Sequence, residues 1–191
     1  PWTRAIPNLN VMAPRDLEDL KWIYREALKN GSPLAIRLPR GAAPASICRE
    51  GDTPRQVWGR AERILKGTGW CLFSYGATIS LALSVFEKAE KTGVEPPSVY
   101  DLRFLKPLDV DAVEEALRTH PLAVVLEDGN IEGGIGEKIS LLADRVRVAS
   151  RVNCLGVPDR FIPHGTVREQ WEHCGLVPEE VLKIYETFNG R

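Results

Sequence analysis

Arg37 and Arg40 stand in and just beyond the apolar run Leu34–Leu38. Open α/β sheets present ligands at the carboxyl ends of their strands. The planar guanidinium fork suits a phosphate dianion. Arg40, in Pro39-Arg40-Gly41, is therefore the favoured phosphate ligand, set against a surface arginine with no ligand. Arg37 alternates with Ile36 and Leu38 and so faces the other side of the strand. It reads equally as a structural ion pair or as a second substrate contact.

Glu127 and Asp128 are the next candidates. They end the apolar run Leu122–Leu126 and open a turn carrying Gly129, Gly133, Gly134 and Gly136. Such a run marks a strand buried on both faces of a parallel sheet, and a helical pattern starts at Glu137. The glycines do not follow Gly-x-Gly-x-x-Gly, and no Gly-Lys-Ser/Thr follows them. Two carboxylates at the mouth would repel a phosphate. The turn therefore reads as a close-packed connection rather than a phosphate cradle. Neighbours on an extended chain point to opposite sides, so Glu127 and Asp128 do not act as an acid–base pair on one atom. They read as structural, or as contacts with a neighbouring domain.

The remaining polar candidates favour structural roles. His164, in Pro163-His164-Gly165, has no nucleophile or carboxylate at readable spacing. His120 and His173 lie near helix ends, where a cation complements the dipole. Arg103 and Lys106 flank Phe104-Leu105 and could mark an anion site. A strand-end connection, stopped by Pro107 with Asp109 capping the next helix, is the favoured alternative. Asp159-Arg160 reads as a local ion pair, and Trp22, Trp58 and Trp171 as packing.

The elements that must position these residues alternate. Asp16 caps a helix whose Leu17, Leu20, Tyr24, Ala27 and Leu28 share one face, and Asn30-Gly31 ends it. With the extended pieces Leu9–Ala13 and Leu34–Leu38 it makes a βαβ fragment too small to cover its own sheet. Residues 42–66 read as a linker with one short strand near Arg55–Trp58. Strands are then expected at Trp70–Tyr75, Ser98–Phe104, Leu122–Leu126 and Arg147–Leu155. Helices follow at Thr78–Lys91, from Asp109, at Glu137–Asp144, after the capping box Thr166-Val167-Arg168-Glu169, and from Pro178. This order implies an α/β fold, a mostly parallel sheet with helices on both faces.

Bulk properties narrow the function classes. The 191 residues carry a net charge of −1, which gives nucleic acid or an acidic membrane no handle. The uncharged stretch Thr68–Phe86 is too rich in Gly, Ser and Thr to span a bilayer. Four cysteines, Cys48, Cys71, Cys154 and Cys174, lie far apart without Cys-x-x-Cys, which fits buried thiols in a reducing compartment. The chain opens on Pro1 rather than methionine, as expected of a processed or truncated start.

Five segments in register carry a resemblance. They are Ile6-Pro7-Asn8 with Val11-Met12-Ala13-Pro14, then Ala35-Ile36-Arg37-Leu38-Pro39-Arg40-Gly41, then Asp101-Leu102-Arg103-Phe104-Leu105-Lys106-Pro107-Leu108-Asp109. The Glu127-Asp128-Gly129-Asn130 turn and Gly156-Val157-Pro158-Asp159-Arg160-Phe161-Ile162-Pro163-His164-Gly165 complete the set. Essentially the whole chain resembles the C-terminal part of the 1-deoxy-D-xylulose-5-phosphate synthases, thiamine-diphosphate enzymes of the transketolase group.

The resemblance implies that residues 1–41 end a pyrimidine-binding α/β domain and that 67–191 form a transketolase C-terminal-type domain. It implies condensation of pyruvate with glyceraldehyde 3-phosphate and loss of carbon dioxide, feeding isoprenoid, thiamine and pyridoxal synthesis. Thiamine diphosphate and Mg2+ would be bound by segments outside this sequence, leaving the chain alone inactive and without catalytic, cofactor or metal residues. Arg40 matches the arginine that meets the acceptor's phosphate. Expected partners are the N-terminal domains or subunit and a second copy, in the cytoplasm or a plant plastid. Two alternatives stay open: the C-terminal subunit of a split transketolase, and a non-catalytic interaction module of the same fold.

Overall fold

The computed structural model describes residues 2–41, 46–47 and 56–190. In chain order the elements are α1 (Trp2–Ala5), β1 (Asn10–Met12), α2 (Leu17–Asn30), β2 (Leu34–Ile36), β3 (Glu62–Leu65), β4 (Trp70–Ser74), α3 (Thr78–Thr92) and β5 (Ser98–Asp101). There follow β6 (Phe104–Lys106), α4 (Val110–Thr119), β7 (Leu122–Asn130), α5 (Ile135–Val146), β8 (Arg151–Val157), α6 (Val167–His173) and α7 (Pro178–Phe188).

The main sheet runs β3-β5-β4-β7-β8. β4 lies parallel to both β5 and β7, and β7 parallel to β8; only the edge strand β3 is antiparallel. Side chains alternate between the two faces, as the pleat requires. Phe73 and Val125 face Val113 and Leu117 of α4 and Ile139 of α5. Leu72 and Val124 face Val85 of α3 and Val181 and Tyr185 of α7. Both faces are thus covered, which is why β4 and β7 read as unbroken apolar runs.

Beside it lies a smaller sheet, β2-β1-β6. β1 is parallel to β2 and antiparallel to β6. Its core is small: Met12, Ile23 and Phe104, with Trp22 and Trp58 packed against them. Helix α2 begins where Asp16 accepts the Asp19 N–H at 2.8 Å and ends at Gly31 with φ of 63°. The Thr166–Glu169 capping box is complete at α6.

Several boundaries differ from the sequence expectation. β7 runs on through Glu127 and Asp128 to Asn130, where a turn was expected, and α5 starts at Ile135 rather than Glu137. The strand expected over Ser98–Phe104 is two strands in two sheets. After β5 the Asp101 carboxylate accepts the Arg103 N–H at 3.0 Å, and Arg103 adopts φ of 49°. That local turn ejects the chain from the main sheet toward β1. The strand expected near Arg55–Trp58 is absent from Gln56–Trp58, Arg55 lying outside the described residues; the strand forms later, at Glu62–Leu65. The strand expected from Arg147 starts at Arg151, because Arg147 is the left-handed cap of α5 at φ of 53°. Cys71, Cys154 and Cys174 are free thiols, and Cys48 lies outside the described residues. Burial pushes the Cys71 thiol up, so it stays protonated and inert. No described helix is long and apolar enough to cross a membrane.

Candidate functional site

A cleft of about 1090 Å³ separates the β2 exit from the α6–α7 corner. Pro14, Arg37, Leu38 and Arg40 form one wall; Asp128, Arg168 and Trp171 belong to the other. Both arginines singled out in the sequence therefore reach one cavity, but in different states. Arg37 sits 3.1 Å from the Asp128 carboxylate and also donates to the Asp128 carbonyl. Arg40 is exposed, and among the described residues no hydrogen bond or ion pair engages its guanidinium.

Asp128 is held from the far side as well, by the Trp171 indole N–H at 3.3 Å from Oδ1. Trp171, expected to serve packing alone, thus also supplies a donor at the cleft. Glu127 points the other way, as alternation requires. Its Oε2 accepts Ile135 N–H at 2.8 Å and Oε1 accepts Gly136 N–H at 2.9 Å. Burial raises the Glu127 pKa, opposed by those two backbone donors. The Tyr75 hydroxyl, itself pushed up by burial, lies 3.4 Å from Oε2.

The start of α5 is where an α/β fold commonly binds phosphate, through free backbone N–H groups and the helix dipole. Here the chain's own carboxylate fills that place. A Cβ on Gly134 would lie 2.5 Å from Glu127 Oε1, and one on Gly136 2.9 Å from it. The glycines therefore seat a carboxylate, and the crook does not fit a diphosphate. Among the described residues no group of three or more His, Cys, Asp or Glu is arranged to hold a metal ion.

The most heavily charged interior feature was not legible as a site. Arg103, expected at a strand-end connection, is fully buried. Its Nε lies 2.8 Å from Asp19 Oδ1, close enough for charge attraction though off the line of a hydrogen bond. Its Nη2 meets Glu62 at 2.8 Å and lies 3.7 Å from Asp101. Arg15 meets Glu62 at 3.0 Å and Asp101 at 3.2 Å. Trp22 lies under the Arg103 guanidinium at 5.4 Å. Burial pushes Asp101 up to about 6, outweighing the attraction of Arg103 and Arg15, and raises Asp19 in the same sense. The available signal was Asp101 and Arg103 placed two apart in an apolar segment.

The other candidates stand apart from the cleft chemistry. His164 and His173 are exposed. His120 is buried, its Nε2 3.0 Å from the Ser98 hydroxyl. Arg160 reaches the His173 carbonyl at 3.3 Å rather than Asp159. Lys106 reaches the Arg4 carbonyl at 3.0 Å, and Arg4 donates to the Gly133 carbonyl at 3.1 Å. Asp109 caps α4, accepting Ala112 N–H at 3.3 Å.

Comparison with known proteins places this geometry. Residues 59–181 match the family model for the transketolase C-terminal domain. The 1-deoxy-D-xylulose-5-phosphate synthase of Nitrosococcus oceani is 35% identical over 190 residues, covering 100% of this chain and 29% of that protein. The synthase of Caldanaerobacter subterraneus subsp. tengcongensis is 34% identical, covering 98% and 30%. The chain thus spans under a third of the length of these relatives. A solved split-gene transketolase, an inactive β4 tetramer, superposes with a TM-score of 0.83 at 25% identity, over 95% of this chain and 58% of that one. The transketolase of Campylobacter jejuni, at 17% identity and a TM-score of 0.70, shares the fold over 97% of this chain and 27% of its own. The chain belongs to the transketolase family, through its C-terminal domain.

Proposed function

We propose that this chain is the C-terminal part of a 1-deoxy-D-xylulose-5-phosphate synthase, which joins pyruvate to glyceraldehyde 3-phosphate with loss of carbon dioxide. In that enzyme thiamine diphosphate and Mg2+ supply the carbanion chemistry. They are held by segments outside this chain, consistent with a helix crook already filled by Glu127. The chain alone is inactive. It works with the remaining domains, on the same polypeptide or on a partner, and with a second copy of itself, in the cytoplasm.

This chain's own contribution is to the acceptor. Arg40 binds the phosphate of glyceraldehyde 3-phosphate, with Arg37 beside it. The observation that carries this is the contrast at the cleft: Arg37 is charge-paired with Asp128, whereas among the described residues no carboxylate engages the Arg40 guanidinium at the same cavity. A planar fork without a carboxylate partner is suited to take two phosphate oxygens.

The alternative is a C-terminal subunit of a split transketolase, favoured by the structural likeness to the split-gene enzyme. The higher identity to the synthases along the whole chain supports the first reading. Donor choice separates them. Assembled with its N-terminal segments, the synthase consumes pyruvate; a transketolase consumes a ketose phosphate instead. Binding without turnover of either donor would favour a non-catalytic module.

A further inference from the structure

Arg40 carries the proposed phosphate contact from the short segment Arg37-Leu38-Pro39-Arg40, just past β2. One end of that segment is fixed. The Arg37 backbone N–H donates to the Met12 carbonyl at 2.8 Å. Its guanidinium crosses the cleft to Asp128, 91 residues later in the chain, gripping the carboxylate at 3.1 Å and the carbonyl as well. Asp128 is fixed in turn by Trp171, whose indole N–H lies 3.3 Å from Oδ1 while Arg37 takes Oδ2. The two carboxylate oxygens are thus divided between two donors on different elements, one from the β2 exit and one from α6.

Resting on the reading of Arg40 as the phosphate ligand, we propose that Asp128 and Trp171 are positioning residues for the acceptor's phosphate. They hold the Arg37–Arg40 segment in register with the cleft through the Arg37 guanidinium. The Asp128 carboxylate neutralises Arg37 and locks its direction, which leaves Arg40, engaged by no described carboxylate, to meet an incoming dianion. A phosphate ligand displaced by about 1 Å loses much of its effect. A rigid Trp171 donor costs little side-chain freedom to hold in place. The C-terminal domain thereby tunes acceptor affinity without touching either substrate.

Steady-state kinetics on the enzyme assembled from this chain and its N-terminal segments test this. Asp128→Asn removes the charge and keeps the shape. It raises the KM for glyceraldehyde 3-phosphate about fivefold, the scale of one part-exposed ion pair, with kcat and the KM for pyruvate unchanged. Asp128→Glu recovers part of that loss, and Trp171→Phe, which deletes only the donor, shifts the same KM in the same direction by less. If Asp128→Asn does not fold, Trp171→Phe decides on its own. Unchanged acceptor KM, or equal shifts in both substrates' KM, overturns the proposal. Arg40→Ala is the control that separates the two readings. If it raises the acceptor KM while Asp128→Asn and Trp171→Phe do not, the positioning role fails and the phosphate assignment stands. If Arg40→Ala has no effect, the phosphate assignment itself falls.

Discussion

Arg103 Nε lies 2.8 Å from Asp19 Oδ1, and both residues are essentially inaccessible to water. The contact joins α2, beside the small sheet, to the turn between β5 and β6. It ties the first 41 residues by charge to the turn that follows β5 of the main sheet, while the pairing of β1 with β6 ties them by backbone within the small sheet.

A buried charge stripped of its partner is costly. Arg103→Ala leaves Asp19, Glu62 and Asp101 crowded together, and is expected to lower unfolding free energy by about 3–5 kcal/mol. Urea denaturation measures it. Arg103→Met, which fills the volume beside Trp22, recovers part of the stability through packing but not the charge balance.

The same cluster carries a pH signature. Burial lifts the Asp101 pKa to about 6 in the fold, above its ordinary value in the unfolded chain. The folded state therefore holds a proton that the unfolded chain releases. Asp101's contribution is greatest below about pH 4 and declines as pH rises to about 6, then stays flat. Asp101→Asn, which mimics the protonated form, removes this decline. Its stability relative to the parent should shift in its favour by on the order of 2 kcal/mol between pH 4 and pH 7. Equilibrium unfolding across that range tests the sign.

Glu127 acts as an internal ligand of α5. Glu127→Ala leaves the Ile135 and Gly136 N–H groups without their acceptor, costing roughly 1–3 kcal/mol. Gly134→Ala drives a methyl against the same carboxylate and costs a similar amount, about 1–3 kcal/mol. Thermal melts of both variants check this.

Helix α2 buries only Asp19 and Ile23, whereas α3 buries seven residues. Poorly packed elements open locally at lower free energy. Amide exchange in α2 should therefore be faster than in α3, and the Leu28 end, 85% exposed, fastest of all.

Much of the fold was legible because the main sheet obeys local rules. Trp70–Ser74 and Leu122–Leu126 are buried on both sides and read as unbroken apolar runs. Asp16, Asp109 and Thr166 cap the helices they precede. What was not legible was decided by partners distant in sequence. Glu62–Leu65 becomes a strand by pairing with β5, not through its own periodicity. Asp101 and Arg103 gain meaning only beside Arg15, Asp19 and Glu62. At the cleft, strand-end placement singled out Arg37 and Arg40, and alternation separated Glu127 from Asp128. The assignment of Arg37 to Asp128 needed the fold.

Within the proposed synthase, Arg40→Ala is expected to raise the KM for glyceraldehyde 3-phosphate roughly tenfold to hundredfold, the worth of hydrogen bonds to a charged group. Arg40→Lys keeps the charge but loses the fork, and should fall between. Initial-rate kinetics with pyruvate saturating measure both.

The most direct test is reconstitution. This chain is mixed with the N-terminal segments of a 1-deoxy-D-xylulose-5-phosphate synthase, thiamine diphosphate, Mg2+, pyruvate and glyceraldehyde 3-phosphate, and carbon dioxide release is followed. The account predicts release from the mixture and none from this chain alone. Release by the isolated chain, or a stable complex that turns over only ketose phosphates, would contradict it.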